Sequence, residues 1–158
     1  MKNITLLLIA VLGASLGLQA QKGITLEDIW SNYEYYARSV PGFNFLKDGK
    51  HYTRLEENKI QQYDFTTGSL ITTIFDPAAV GRGSELSEEV DGYTFSEDES
   101  KILIRTSTES IYRRSFVANY YVYDRTAKSL TPVYEDGKQG YATFNPQADK
   151  VAFVHDNN

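Results

Sequence analysis

The sequence predicts an all-β fold: β-propeller blades, two nearly complete and part of a third, of a larger ring. Three observations carry this expectation. After Pro41 the chain breaks into short alternating or β-branched runs bounded by turn residues. Polar turns of one type recur, with Asp48, Asp98 and Gln147 spaced by 50 and 49 positions. Repeats of roughly 40–50 residues with about four strands each are the signature of a propeller blade.

The first twenty residues precede this pattern. Lys2 forms a short cationic region, Ile4 to Leu18 is almost wholly apolar, and Leu18-Gln19-Ala20 offers a small residue for cleavage. The apolar run is shorter than the about 20 residues of a membrane span. A secretory signal peptide cut after Ala20 is expected, which places the protein outside the cytoplasm, secreted or periplasmic. An uncleaved anchor is the competing reading. The expected organisation is a signal peptide over 1–20, a helical or linker segment over 21–40 and a partial propeller over 41–158.

Composition narrows the classes. The chain has 158 residues, 41% hydrophobic and 23% charged, which is ordinary globular material for about one domain. It has no cysteine, so a disulfide scaffold, a thiolate zinc site, a cysteine nucleophile and a lipidated cysteine anchor are all excluded. Removing residues 1–20 takes one Lys and no acid, leaving 15 − 21 = −6. Without a basic stripe, nucleic acid and anionic membranes are poor partners.

Thr25 to Arg38 reads as opening with a short helix. Thr25 is the N-cap, Asp28 the third residue of a capping-box arrangement, and Leu26, Ile29 and Trp30 share one helical face. The strand candidates follow: HYTRL, KIQQYDF, SLITTIF, YTFS, KILIRTS, NYYVYD, SLTPVY, YATF and KVAFVH. Phe45 to Lys50, Phe95 to Lys101 and Phe144 to Lys150 are the repeated turns, each feeding an apolar strand. Tyr63 to Leu70 and Tyr123 to Leu130 are a second matched pair, with turn-forming Asp, Gly and Ser. One blade cannot bury both of its faces, and a ring closes with typically about 4–8. The sequence therefore reads as the N-terminal portion of a longer polypeptide.

The repeats differ at one place. Asp48 to Asp64 is 16 residues, whereas Asp98 to Asp124 is 26. The second blade thus carries about ten extra residues around Thr106 to Asn119, expected as a loop on one face. Arg113 and Arg114 lie inside it. Neighbouring strand residues point to opposite faces, so either one arginine faces inward or the strand is broken there.

Several stretches here, ITLEDIW at 24–30, VPGFNFLKDGKHYTRLEENKIQQYDFTTG at 40–68 and YRRSFVANYYVYD at 112–124, resemble the opening blades of the prolyl dipeptidyl peptidases of the dipeptidyl peptidase IV type, specifically the secreted bacterial members. The resemblance implies an eight-bladed propeller joined to a C-terminal α/β-hydrolase domain and a homodimeric assembly. It implies serine-type release of dipeptides from peptide N-termini when the second residue is proline or alanine. It also implies that an arginine in an aromatic-Arg-x-Ser context binds the substrate's backbone carbonyl and supports the acidic residues that hold its free amine. Tyr112-Arg113-Arg114-Ser115 matches that context, so the role falls to Arg113, with Arg114 its outward-facing neighbour. A guanidinium, with five donors in a fixed fork, suits such bridging.

Other candidates read as structural. Glu56-Glu57 is expected as a strand-end turn and Glu88-Glu89 as part of a solvated acidic loop. Both precede the arginine motif, the wrong order for the family's acid pair. Gly13-Ala14-Ser15-Leu16-Gly17 matches a nucleophile elbow by chance, inside the signal peptide and without strand–turn–helix context. His51 and His155 fall at strand ends without Ser and Asp company. Tyr33, Tyr35 and Tyr36 are a candidate stacking face, and the aromatic content otherwise reads as blade packing. No metal-ligand spacing and no cofactor motif is present. No catalytic residue is expected in this chain, which should be inactive alone. A non-catalytic periplasmic binding propeller, or a pseudoenzyme lacking its serine, remains the alternative.

Overall fold

The computed structural model describes residues 23–37, 42–80 and 86–156. The expected signal peptide, with its Gly13–Gly17 elbow look-alike, lies outside the described residues. The chain divides into two units, Met1–Val40 and Pro41–Asn158.

In the first unit, Leu26–Trp30 forms helix α1. Its start is the expected capping box: the Asp28 amide donates to Thr25 Oγ1 at 3.1 Å and the Thr25 amide to Asp28 Oδ2 at 3.2 Å. These bonds satisfy donors that a helix start leaves without partners. The helix stops after five residues, and its shared face is solvent-exposed, with Leu26 70% and Trp30 71% accessible. Tyr33 turns the chain at φ 51°, and its ring meets Tyr36 edge-on at 5.9 Å.

Among the described residues of the second unit the regular structure is β, apart from a 3₁₀ turn at Pro77–Ala79. Strands β1 (Phe43–Phe45), β2 (His51–Glu56), β3 (Lys59–Asp64) and β4 (Leu70–Phe75) form the first antiparallel blade in sequential order. The second contains β5 (Val90–Phe95), β6 (Lys101–Tyr112), β7 (Ser115–Asp124) and β8 (Ser129–Pro132), again in order. A third sheet pairs β9 (Gly140–Phe144) with β10 (Val151–Val154). Strand β1, too short to show an alternation, was not expected.

The repeated turns are the same object built three times. The amides of Leu46, Ser96 and Asn145 each donate to a carbonyl five residues on, at 2.9–3.0 Å. The residues Gly49, Glu99 and Ala148, at matching places, all adopt positive φ, 66°, 58° and 58°. Asp48 and Asp98 Oδ1 accept from the amides two residues later, and in the third copy Asn145 Oδ1 substitutes. The turns also join blade to blade. The Lys47 amide donates to Glu99 at 2.7 Å, the Lys47 ammonium pairs with Glu97, and the Lys101 ammonium donates to the Ala148 carbonyl at 2.7 Å.

Strand alternation sends the second blade's side chains to two cores. Ile102, Ile104, Tyr123 and Leu130 pack with Ile60 and Phe75 of the first blade, where the Phe75 and Tyr123 rings meet at 4.9 Å. Leu103, Ala118 and Tyr120 pack instead with Ala142, Phe144 and Val151 of the third sheet. Burial on both faces explains the unbroken apolar run of Ile102–Ile104. The first blade buries one face only. On its other face Phe43, Phe45, Tyr52 and Phe65 contact one another, with Phe45 62% and Phe65 58% accessible.

Candidate functional site

The insertion expected as a loop at Thr106–Asn119 is a long β-hairpin. Strands β6 and β7 stay paired from Lys101↔Asp124 to Tyr112↔Ser115, with register shifts between Thr106 and Glu109 and between Ser110 and Tyr112. The β-branched and aromatic residues Thr108, Ile111, Phe116 and Val117 favour strand pairing and carry the ladder beyond the blade. At the first irregularity Ser107 takes φ 48°, a bulge that redirects the hairpin as it leaves the sheet.

Arg113 and Arg114 form the two-residue turn at the hairpin's tip. Both are exposed, and among the described residues neither guanidinium has a hydrogen-bond or ion-pair partner. The strand is thus broken at the pair, and neither arginine turns inward. Ile111, Tyr112 and Tyr141 nearby are 53%, 79% and 72% accessible. A groove of about 780 Å³ runs beside the hairpin, lined among others by Tyr112, Phe116, Lys138, Tyr141 and His155.

The cation that does lodge against the blade is Arg105, four positions before Glu109. Its guanidinium lies 4.5 Å over the Phe116 ring and donates to the Asp91 carbonyl at 3.2 Å. Gly92 makes room for it, since a Cβ there would sit 2.8 Å from Nη2.

The hairpin's base is braced on two sides. Glu88 accepts a hydrogen bond from the Thr106 hydroxyl and from Asn119 Nδ2 at 3.3 and 3.4 Å. The Thr106 hydroxyl, followed by Ser107, Asn119 and Lys138, holds its carboxyl below the usual range. Asp91 Oδ2 accepts from the Thr108 amide at 2.7 Å, and the Thr108 side chain and then its amide lower the Asp91 pKa. Just before β9, Gln139 exchanges two backbone hydrogen bonds with Ala118 at 2.9 and 2.8 Å. Gln139 is fully buried: Oε1 accepts from the Tyr120 amide at 3.1 Å, and Nε2 donates to the Gly137 carbonyl. Lys138 pairs with Glu109 at 3.2 Å.

The remaining candidates separate cleanly. Glu56 ends β2, pairs with Arg54 at 2.7 Å and accepts from the Tyr63 hydroxyl, pushing that phenol up to about 12. The turn expected at Glu56-Glu57 falls one residue on, at Glu57 and Asn58, with φ 50° and 65°. Glu88 is not the solvated acid expected from its acidic neighbours; it is half-buried and folded onto the base of the hairpin. His51 Nδ1 pairs with Asp48 at 2.5 Å, and His155 lies against Tyr134 and Lys138, so both histidines hold turns. Tyr33, Tyr35 and Tyr36 are exposed in the first unit. Sequence reasoning missed Arg105, Lys138 and Gln139, whose partners are non-local and whose neighbours read as ordinary strand or turn.

Sequential four-stranded antiparallel sheets, packed face to face with a further sheet begun, define the chain's class: it is a stretch of β-propeller. Residues 96–158 match the family model described as the dipeptidyl peptidase IV (DPP IV) N-terminal region. A probable dipeptidyl-aminopeptidase B of Tuber melanosporum is 30% identical over 151 residues, covering 89% of this chain and 16% of that protein. The protein of the same description from Botryotinia fuckeliana is 39% identical over 66 residues, 40% of this chain and 7% of that protein. The crystal structure of Porphyromonas gingivalis dipeptidyl peptidase 4 superposes with a TM-score of 0.71 at 34% identity, over 87% of this chain and 20% of that one. The chain belongs with the N-terminal region of the dipeptidyl peptidase IV type, and spans a fifth or less of these relatives.

Proposed function

We propose that this chain is the substrate-facing propeller segment of a secreted, serine-type dipeptidyl peptidase, and that Arg113 binds the backbone of the peptide to be cut. The observation that carries the reading is the hairpin tip: two fixed cations, exposed and without partners among the described residues, on a hairpin braced from both flanks. A charge held this way gains most when a substrate carbonyl or carboxylate arrives to take its donors. The matched family region, residues 96–158, contains the whole hairpin.

In this reading the nucleophile, base and amine-binding acids come from parts of the polypeptide other than this chain, including a C-terminal α/β-hydrolase domain. The substrates are peptides with Pro or Ala in second position, the assembly is a homodimer, and residues 1–20 are the secretory leader.

The test uses the complete polypeptide and chromogenic Gly-Pro and Ala-Pro substrates. A charge-assisted hydrogen bond contributes about 1.5–3 kcal/mol, so Arg113→Ala should lower kcat/KM roughly 10- to 100-fold. Arg114→Ala should stay within about twofold. Equal losses, or no loss at Arg113, would refute the assignment. Absence of any turnover that a serine-directed inhibitor blocks would instead favour a binding propeller.

A further inference from the structure

We infer that Glu88 is a positioning residue that sets where the Arg113 tip stands. The inference rests on the reading of Arg113 given above and extends it to the hairpin's base.

Thr106 on β6 and Asn119 on β7 are directly opposite partners in the ladder. They are the last paired residues before the register shifts toward Glu109. Glu88, from the segment before β5, receives a hydrogen bond from each of them. One carboxylate therefore ties together both strands at the level where the sheet ends and the hairpin begins. Thr106 is fully buried, so its hydroxyl has no water to replace that acceptor. Just beyond, Asp91 catches the Thr108 amide, and on the other flank Glu109 meets Lys138.

Over the remaining length of the hairpin, Glu109 to Val117, only two strands pair, with a second register shift; the β6 side and the tip, Glu109 to Arg114, are exposed, and Ser115 to Val117 are half-buried. Two-stranded ribbons are marginally stable alone and twist freely. The direction of the tip must therefore be fixed at its base. Glu88 grips both strands there through their side chains, a role no local sequence pattern encodes.

Two measurements on the complete polypeptide test this. The first is amide hydrogen exchange in Glu88→Ala and in the near-isosteric Glu88→Gln. Amides of residues 109–117 should exchange at least about tenfold faster in Glu88→Ala, with residues 101–105 unchanged and Glu88→Gln intermediate. Unchanged exchange at 109–117 overturns the inference, whatever Arg113 does. Acceleration across the whole blade also overturns it, since the residue then merely stabilises the sheet. The second is a double-mutant cycle in peptide turnover. Glu88→Ala should raise KM several-fold with kcat within about twofold, and should add nothing in an Arg113→Ala background. Additive losses overturn the link to Arg113. If Arg113→Ala itself has no effect, the reading of the tip fails, while the exchange data still decide the role of Glu88.

Discussion

At the scale of single residues, the turns show how little sequence identity the repeat needs. Position 49 is glycine, but its equivalents are Glu99 and Ala148, and position 68 is glycine where the second blade has Lys128 at φ 52°. A left-handed conformation costs a side chain about 1–2 kcal/mol, and glycine avoids that penalty at some cost in backbone entropy. Lys128 is exposed, so Lys128→Gly should raise stability by up to about 1 kcal/mol, read from the urea midpoint. The aspartates of the turns respond to acid. The His51 imidazole and then the Lys50 amide hold Asp48 at about 2, and the Ser96 hydroxyl and then Ser100 hold Asp98 at about 2. Their folded values lie below the ordinary 3.8, so the stabilisation is complete above 3.8 and is lost as pH falls toward 2. The thermal midpoint should fall across that window. Asp48→Asn combined with Asp98→Asn should flatten the fall, and an unchanged slope would remove the turns from the account.

At the scale of elements, the strands were legible where local chemistry decides. Nine of the ten strands among the described residues announce themselves through β-branched or aromatic runs between Asp, Ser and Gly turns. The hairpin did not, because its turn is Arg113-Arg114, with no Gly, Asn or Pro to mark it. Its brace was equally hidden: Glu88 meets Thr106 and Asn119 across 18 and 31 positions. The surrounding acids, Glu85 and Glu89, made Glu88 look solvated. The apolar face of α1 was read correctly as a face, but it is solvent-exposed. Between blades the prediction is simpler. Phe75 is fully buried and meets Tyr123 edge-on, so Phe75→Ala should cost about 3–5 kcal/mol in urea unfolding. Phe45→Ala, on the accessible face, should cost far less.

At the scale of the whole molecule, the propeller reading was available from the 50-residue spacing together with the short strand runs, because a fixed period of β units implies stacked blades. The uncovered aromatic face of the first blade has a measurable outcome. The chain produced by itself should bind a hydrophobic dye and associate as its concentration rises, and Phe45→Ser with Phe65→Ser should suppress both. The turn contacts, in which Lys47 reaches Glu97 and Glu99 and Lys101 reaches Ala148, make each blade answer only to its immediate neighbours. Such an array behaves like a row of dominoes with nearest-neighbour coupling rather than a single cooperative block. The middle blade, gripped on both sides, is the last to let go. The end units fray first, and a lesion at one turn weakens a single junction while leaving the others whole.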